Sequence, residues 1–280
     1  MEIQNELSLI KPIGGSHDFC TYSLSSKQVT ENSLIMSTSF PDDYGIGILS
    51  RRYILIVGGI YQPTGHLIDQ VILIDSQTLD VTELPPLPCK MKGLRVIEYN
   101  DEAYTIGGCV ETKEGELKLL GNCYKFSLNF RTWIDVASMP YPCVFPGCFR
   151  IDNFIWATGG LSKDSESTRV LDCIRIYDIL TNTWRINEFP LLRPSYLHYC
   201  LLFPDRRVLI FGGLRDQNSN RFSYWLGSDK RKEMPLRISM GIIDPPLLYN
   251  NKVFAFNDEM NLLIYNLETE TWDTQDPYLP

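Results

Sequence analysis

Six times in 280 residues the chain runs a short apolar stretch into a Gly-Gly doublet, crosses an insert, and reaches a pair of landmark residues seven positions apart. The doublets are Ile13-Gly14-Gly15, Val57-Gly58-Gly59, Ile106-Gly107-Gly108, Thr158-Gly159-Gly160, Phe211-Gly212-Gly213 and a degenerate Phe256-Asn257-Asp258, spaced by 44 to 53 residues. The landmarks are Tyr22 and Val29, Ile74 and Val81, Phe126 and Trp133, Tyr177 and Trp184, Trp225 and Lys232, Tyr265 and Trp272. From each pair to the next doublet the distance holds at 25 to 29 residues, whereas from doublet to pair it wanders between 7 and 18. A period of this length belongs to repeat architectures, in which each unit buries its apolar face against the next. Length alone would suggest two domains. The period predicts one, residues 1–280, with units near 1–38, 39–88, 89–140, 141–190, 191–236 and 237–280.

Each unit reads as strands. Arg52 to Val57 and Arg207 to Phe211 are β-branched and aromatic, too short for helices, and bounded by turn residues. Asp172 to Asp178 alternates polar and apolar residues, Leu180 to Thr183 turns, and Trp184-Arg185-Ile186 opens another strand, a hairpin layout repeated over 123–134 and 261–273. With the apolar runs ahead of the doublet strands, such as Gly93 to Tyr99 and Leu197 to Phe203, a unit holds four strands, here a, b, c and d. The doublet is expected to close strand b, because residues without Cβ accept positive φ and let a neighbouring backbone approach. The aromatic landmarks should supply most of the area buried between units, at roughly 150–250 Å² each. Proline-bearing links, Pro85 to Pro88 and Phe189 to Pro194, then end strand d. Two units depart from the pattern. The first has only Met1 to Glu6 before its doublet strand, which leaves three strands, an unusual ring closure or a once longer chain as alternatives, and Lys232 in the fifth predicts a thin strand d.

These landmarks resemble the kelch repeat, a hydrophobic strand ending in Gly-Gly, then Tyr-Asp, then a Trp after a short turn. Tyr177-Asp178-Ile179-Leu180-Thr181-Asn182-Thr183-Trp184 is a near-complete match, and the resemblance covers nearly the whole chain. Kelch repeats are blades of β-propellers. The resemblance therefore implies an all-β, six-bladed kelch-type β-propeller with four antiparallel strands per blade, the short first unit leaving an incomplete first blade as one of its alternatives.

Composition narrows the partners. A net charge of -8 and a pI near 5.0 disfavour nucleic acid and anionic membrane, since counterion release needs clustered cations, and Lys230-Arg231-Lys232 is too short a cluster. No run approaches the ~18 apolar residues of a membrane span, and the N-terminus lacks a signal-peptide layout, so a cytoplasmic location is expected. The eight cysteines, Cys20, Cys89, Cys109, Cys123, Cys143, Cys148, Cys173 and Cys200, form no CxxC pair and read as reduced structural thiols.

Catalytic residues do not converge. Of three histidines, His17 and His66 fall in b-to-c loops, with Asp18 beside the first, and read as exposed loop residues rather than metal ligands. No metal and no cofactor is expected. Some kelch-like propellers are copper radical oxidases, a poor match here, or sialic-acid epimerases or mutarotases; a sugar enzyme is the alternative to a noncatalytic binding domain. In kelch proteins the b-to-c and d-to-a loops open on one face that holds partner peptides. Here the d-to-a links carry Lys90, Lys92, Tyr141, Phe145, Arg193, Tyr196 and Arg237, cations and aromatics suited to a partner segment containing Asp or Glu. Arg193 and Arg237 read equally well as structural, bonding to neighbouring blades. The charged inserts Cys109 to Leu120 and Leu161 to Arg169 read as variable loops that select partners or are merely solvated. Kinship implies a scaffold or a ubiquitin-ligase substrate adaptor, although the segments before Ile13 and after Trp272 look too short for a BTB or F-box module.

Overall fold

A computed structural model of the protein describes residues 8–12, 15–23, 29–36, 39–163, 167–214, 222–226, 233–235, 246–256, 262–269 and 271–275. All regular structure among them is strand. Two compact units divide the chain.

The larger unit holds the second to fifth sheets, each four-stranded and antiparallel in the order a-b-c-d. The second comprises Gly45–Leu49, Tyr53–Tyr61, His66–Asp75 and Val81–Leu84. The third comprises Arg95–Tyr99, Glu102–Ile106, Cys123–Ser127 and Thr132–Val136. Gly147–Ile151, Phe154–Thr158, Ile174–Asp178 and Thr183–Ile186 form the fourth. In the fifth, Tyr196–Leu202, Val208–Leu214 and Phe222–Leu226 are followed by a strand d of only three residues, Glu233–Pro235. The smaller unit contains the first sheet, with strands b, c and d at Ser8–Pro12, Asp18–Ser23 and Val29–Ser33, and a complete sixth sheet from Leu247–Tyr249 to Thr271–Gln275. The first sheet thus has three strands among the described residues.

The seven-residue spacing is a register. Tyr22 faces Val29, Ile74 faces Val81, Phe126 faces Trp133, Tyr177 faces Trp184 and Tyr265 faces Trp272 across the c–d hairpins. Ring centroids lie 5.0 Å apart for Phe126–Trp133 and 5.1 Å for Tyr177–Trp184, tilted as the ring quadrupoles favour. The two tryptophans also work as hydrogen-bond donors. Trp133 Nε1 donates to the Pro85 carbonyl at 2.9 Å and Trp184 Nε1 to the Ala137 carbonyl at 2.8 Å, each reaching the end of strand d in the preceding sheet. Replacing Trp184 with Phe should keep the stacking and lose the pin, costing about 1 kcal/mol by urea unfolding; no change would show that the bond contributes nothing.

The core lies between sheets. One cluster joins Leu55, Val57 and Leu73 of the second sheet to Val96, Ala103 and Phe126 of the third, and equivalent clusters follow at the next two junctions. Phe126, Tyr177 and Tyr265 of strand c are buried, as expected, whereas Trp133 and Trp184 are only partly buried.

Two expectations need correction. The doublet ends strand b in the third and fourth sheets but lies inside it in the second and fifth. The inserts Cys109 to Leu120 and Leu161 to Arg169 are not open loops; they carry hairpins of Cys109–Glu111 with Leu117–Leu119 and Leu161–Lys163 with Thr168–Val170. Apolar residues at the hairpin bases permit the pairing, and Gly115, at φ +80°, accepts the turn in the first of them.

Candidate binding face

The d-to-a links are stitched into the sheets by three recurring backbone bonds. In the first, the second glycine of the doublet donates its N–H to the following link: Gly15 to Phe40 at 2.8 Å in the smaller unit; Gly59 to Met91 at 2.8 Å, Gly108 to Cys143 at 2.9 Å and Gly160 to Ser195 at 2.8 Å in the larger. Here the first glycine is obligatory. A Cβ on Gly107 would lie 2.7 Å from the Cys143 carbonyl oxygen, and one on Gly58 or Gly159 would collide with the Met91 or Ser195 carbonyl.

The second series joins equivalent link residues. Gly93 N–H donates to Asp43 O at 3.0 Å, Phe145 N–H to Gly93 O at 2.7 Å, and Leu197 N–H to Phe145 O at 3.0 Å. All four residues have φ between 51° and 70°. Only one is glycine, so the bonds hold bulky residues in the left-handed region against their preference. The third series ties each hairpin to a link: Lys92 and Cys109 exchange both backbone bonds, as do Val144 and Leu161.

On this frame the sequence-derived candidates separate. Lys90 is exposed. Lys92 is spent on Asp43, Nζ to Oδ2 at 3.0 Å. Tyr141 is 51% exposed at φ +55°. Phe145 is half-buried, its ring against Gly93. Arg193 and Tyr196 are half-buried. Arg237 lies outside the described residues, as do Lys230, Arg231 and Lys232. His17 and His66 are exposed, and no group of three metal-ligating side chains occurs among the described residues.

Both loop classes meet in one cleft. Its volume is about 420 Å³, and its walls are His66 and Leu67 from the start of strand c in the second sheet, Cys89 and Lys90 from the link, and Val110, Glu111 and Thr112 from the third-sheet hairpin. His66 Nδ1 stands 4.0 Å from Glu111 Oε2.

No protein-family model matches the chain. Kelch-like protein 41b of Danio rerio is 27% identical over 147 residues, 52% of this chain and 23% of that protein. Kelch repeat and BTB domain-containing protein 1 of cowpox virus is 32% identical over 104 residues, 37% of this chain and 17% of that protein. The matched stretch is thus under a quarter of the length of either relative. The solved structure of YjhT superposes with a TM-score of 0.70 over 99% of both chains at 13% identity. The chain has the fold of a kelch-type β-propeller and is similar to kelch-repeat proteins.

Three kelch-blade residues that sequence reasoning passed over organise the fourth and fifth blades beneath this face. Arg175, at a polar position of the alternating strand c, is fully buried. Its guanidinium donates to the carbonyls of Tyr141 (2.9 Å), Ala157 (3.4 Å) and Gly159, and to Cys143 Sγ at 3.1 Å. His198, hidden in the apolar run of strand a, is also fully buried, with Thr158 Oγ1 2.8 Å from Nε2 and Ser195 Oγ 3.2 Å from Nδ1. Arg95 donates from Nε to the Pro146 carbonyl at 3.0 Å and lays its guanidinium 4.7 Å over the Tyr199 ring. Burial pushes the thiols of Cys123 and Cys200 up to about 12 and raises Cys143 and Cys148, so these cysteines stay protonated packing groups. For His198 the available signal was a polar residue inside an apolar run, whereas Arg175 sits at a polar place in an alternating strand and gave none.

Proposed function

We propose that the chain is a noncatalytic kelch interaction domain, scaffold or substrate-adaptor like, that holds a protein segment containing Asp or Glu on the face of its b-to-c and d-to-a loops. The cleft walled by both loop classes carries this reading, with Lys90 at its edge and Leu67 and Val110 among its walls. Backbone bonds to the links hold the hairpins that frame the face, so little ordering entropy opposes binding. Tyr141, Phe145, Arg193 and Tyr196 extend the same face, aromatic and cationic groups of the kind that dominate binding hot spots. The relatives, named as kelch-like and kelch repeat proteins, support a protein-binding role. No helix among the described residues is long and apolar enough to cross a membrane, and the reading places the domain in the cytoplasm.

The test is fluorescence anisotropy with labelled peptides rich in Glu, in Lys or in neither. Acidic peptides should bind best, and the double variant K90E/Y141N should weaken them at least tenfold. Equal affinity for the three peptides, or for wild type and variant, would overturn the reading.

A further inference from the structure

We propose that the junction between the fourth and fifth blades is an acid-opened latch whose bolt is the neutral, buried imidazole of His198. Glycine makes room for the ring on three sides. A Cβ on Gly147 would collide with Nε2, one on Gly159 would stand 3.0 Å from Cε1, and one on Gly213 would stand 2.7 Å from the His198 Cβ. Gly147 and Gly159 belong to the fourth blade and Gly213 to the fifth, so the ring fills a socket made jointly by the two. Both nitrogens have hydroxyl partners, Thr158 from the fourth blade and Ser195 from the link. One hydroxyl donates and the other accepts, which a neutral ring satisfies completely.

A proton has no favourable place there. The charged groups acting on the ring are Arg95 from strand a of the third blade and Arg175 from strand c of the fourth, both cations. From its own strand comes Cys200, whose Sγ shares Thr158 Oγ1 at 3.3 Å, and from strand a of the fourth blade Cys148; both are neutral thiols. Thr158 of strand b, Gly159 directly after it and Gly213 of the fifth blade bring no titratable side chain. Desolvation first, then the two guanidinium groups, hold the imidazole down to about 3.

The sign follows from linkage. A histidine released from the socket regains its ordinary value near 6.5, so between about pH 6.5 and 3 the opened form binds one more proton than the closed form. Closure is therefore fully favoured above pH 6.5 and is lost as pH falls through that window, by about tenfold in the opening equilibrium per pH unit. Opening would break the Leu197 N–H to Phe145 O bond one residue away and part the links that carry Tyr141 and Tyr196.

Hydrogen exchange read by mass spectrometry on the full chain tests this, with protection factors corrected for intrinsic exchange. Amides of Gly147–Ile151 and Tyr196–Leu202 should lose about tenfold protection per pH unit from pH 6 to 4, while those of Tyr53–Tyr61 in the second blade lose far less. The variant H198Q, which keeps a donor and an acceptor, should flatten that slope. If it does not fold, an NMR titration of the wild-type ring decides: the ring should stay neutral in the folded protein to pH 4. A ring that titrates near pH 6 with protection intact, or equal slopes in the second and fifth blades, would overturn the latch.

Discussion

Replacing Gly159 with alanine should lower stability by more than about 4 kcal/mol, a large share of a total margin of about 5–15 kcal/mol. Two costs combine. At φ +56° an L-residue pays on the order of 1–2 kcal/mol in backbone strain. The added methyl also strikes the Ser195 carbonyl and crowds His198, so the blade junction must part to admit it. Gly65 separates the two costs. It sits at φ +70° with nothing within 4 Å of a built Cβ, so G65A should cost only about 1 kcal/mol. Urea unfolding of both variants, followed by tryptophan fluorescence, makes the comparison. Equal losses would mean that backbone strain alone accounts for the glycine and that the close approach of link and blade is unimportant.

Removing the Arg175 guanidinium should have the next largest effect, about 3–5 kcal/mol for R175M. Burying an unpaired charge is expensive, and the described partners of this one are backbone carbonyls and a thiol. The arginine is tolerated because it satisfies oxygens that have few other donors. A methionine of similar length fills the volume but leaves the carbonyls of Tyr141 and Gly159 short of a donor, at about 1–3 kcal/mol each. R175K should recover part of the loss, since one ammonium cannot span acceptors that a planar fork reaches together. Stability within 1 kcal/mol of wild type for R175M would show that the site prefers an apolar filler. Because Tyr141 lies on the proposed binding face, R175M should also weaken peptide capture at temperatures where the domain is still folded.

The repeat announced the fold because sheet geometry is periodic in the chain: a c–d hairpin places residues seven apart opposite one another wherever the turn keeps its length, and Phe126 with Trp133 states that register in plain sequence. The glycine doublet was legible for a similar reason, since only residues without Cβ fit there. The link residues Asp43, Gly93, Phe145 and Leu197 were not legible. They share a backbone conformation and a hydrogen bond, neither of which depends on side-chain type, so acid, glycine, aromatic and aliphatic residues occupy equivalent places. Of the candidate face, Lys90 and Tyr141, singled out by composition, are exposed. Lys92 was singled out with them, but its charge is committed to Asp43, forty-nine positions earlier, a pairing no local pattern reports. Arg175 and His198 escaped because a polar residue in a strand ordinarily faces water, whereas here both neighbours of each along the strand are also at least partly buried.

The hairpins after the third and fourth doublets are tied to the links chiefly through main-chain atoms, Lys92 to Cys109 and Val144 to Leu161, and Ser162 Oγ adds a bond to the Pro142 carbonyl at 2.8 Å. An attachment made of peptide groups is indifferent to the letters carried beyond it. The tip of the first hairpin, from Thr112 to Glu116, can therefore change in sequence, and even in length, while the blade beneath keeps its own accounts of stability. On the proposed reading this hairpin can vary apart from the fold, and a library randomised at its tip should yield folded domains with new partners from a single unaltered frame.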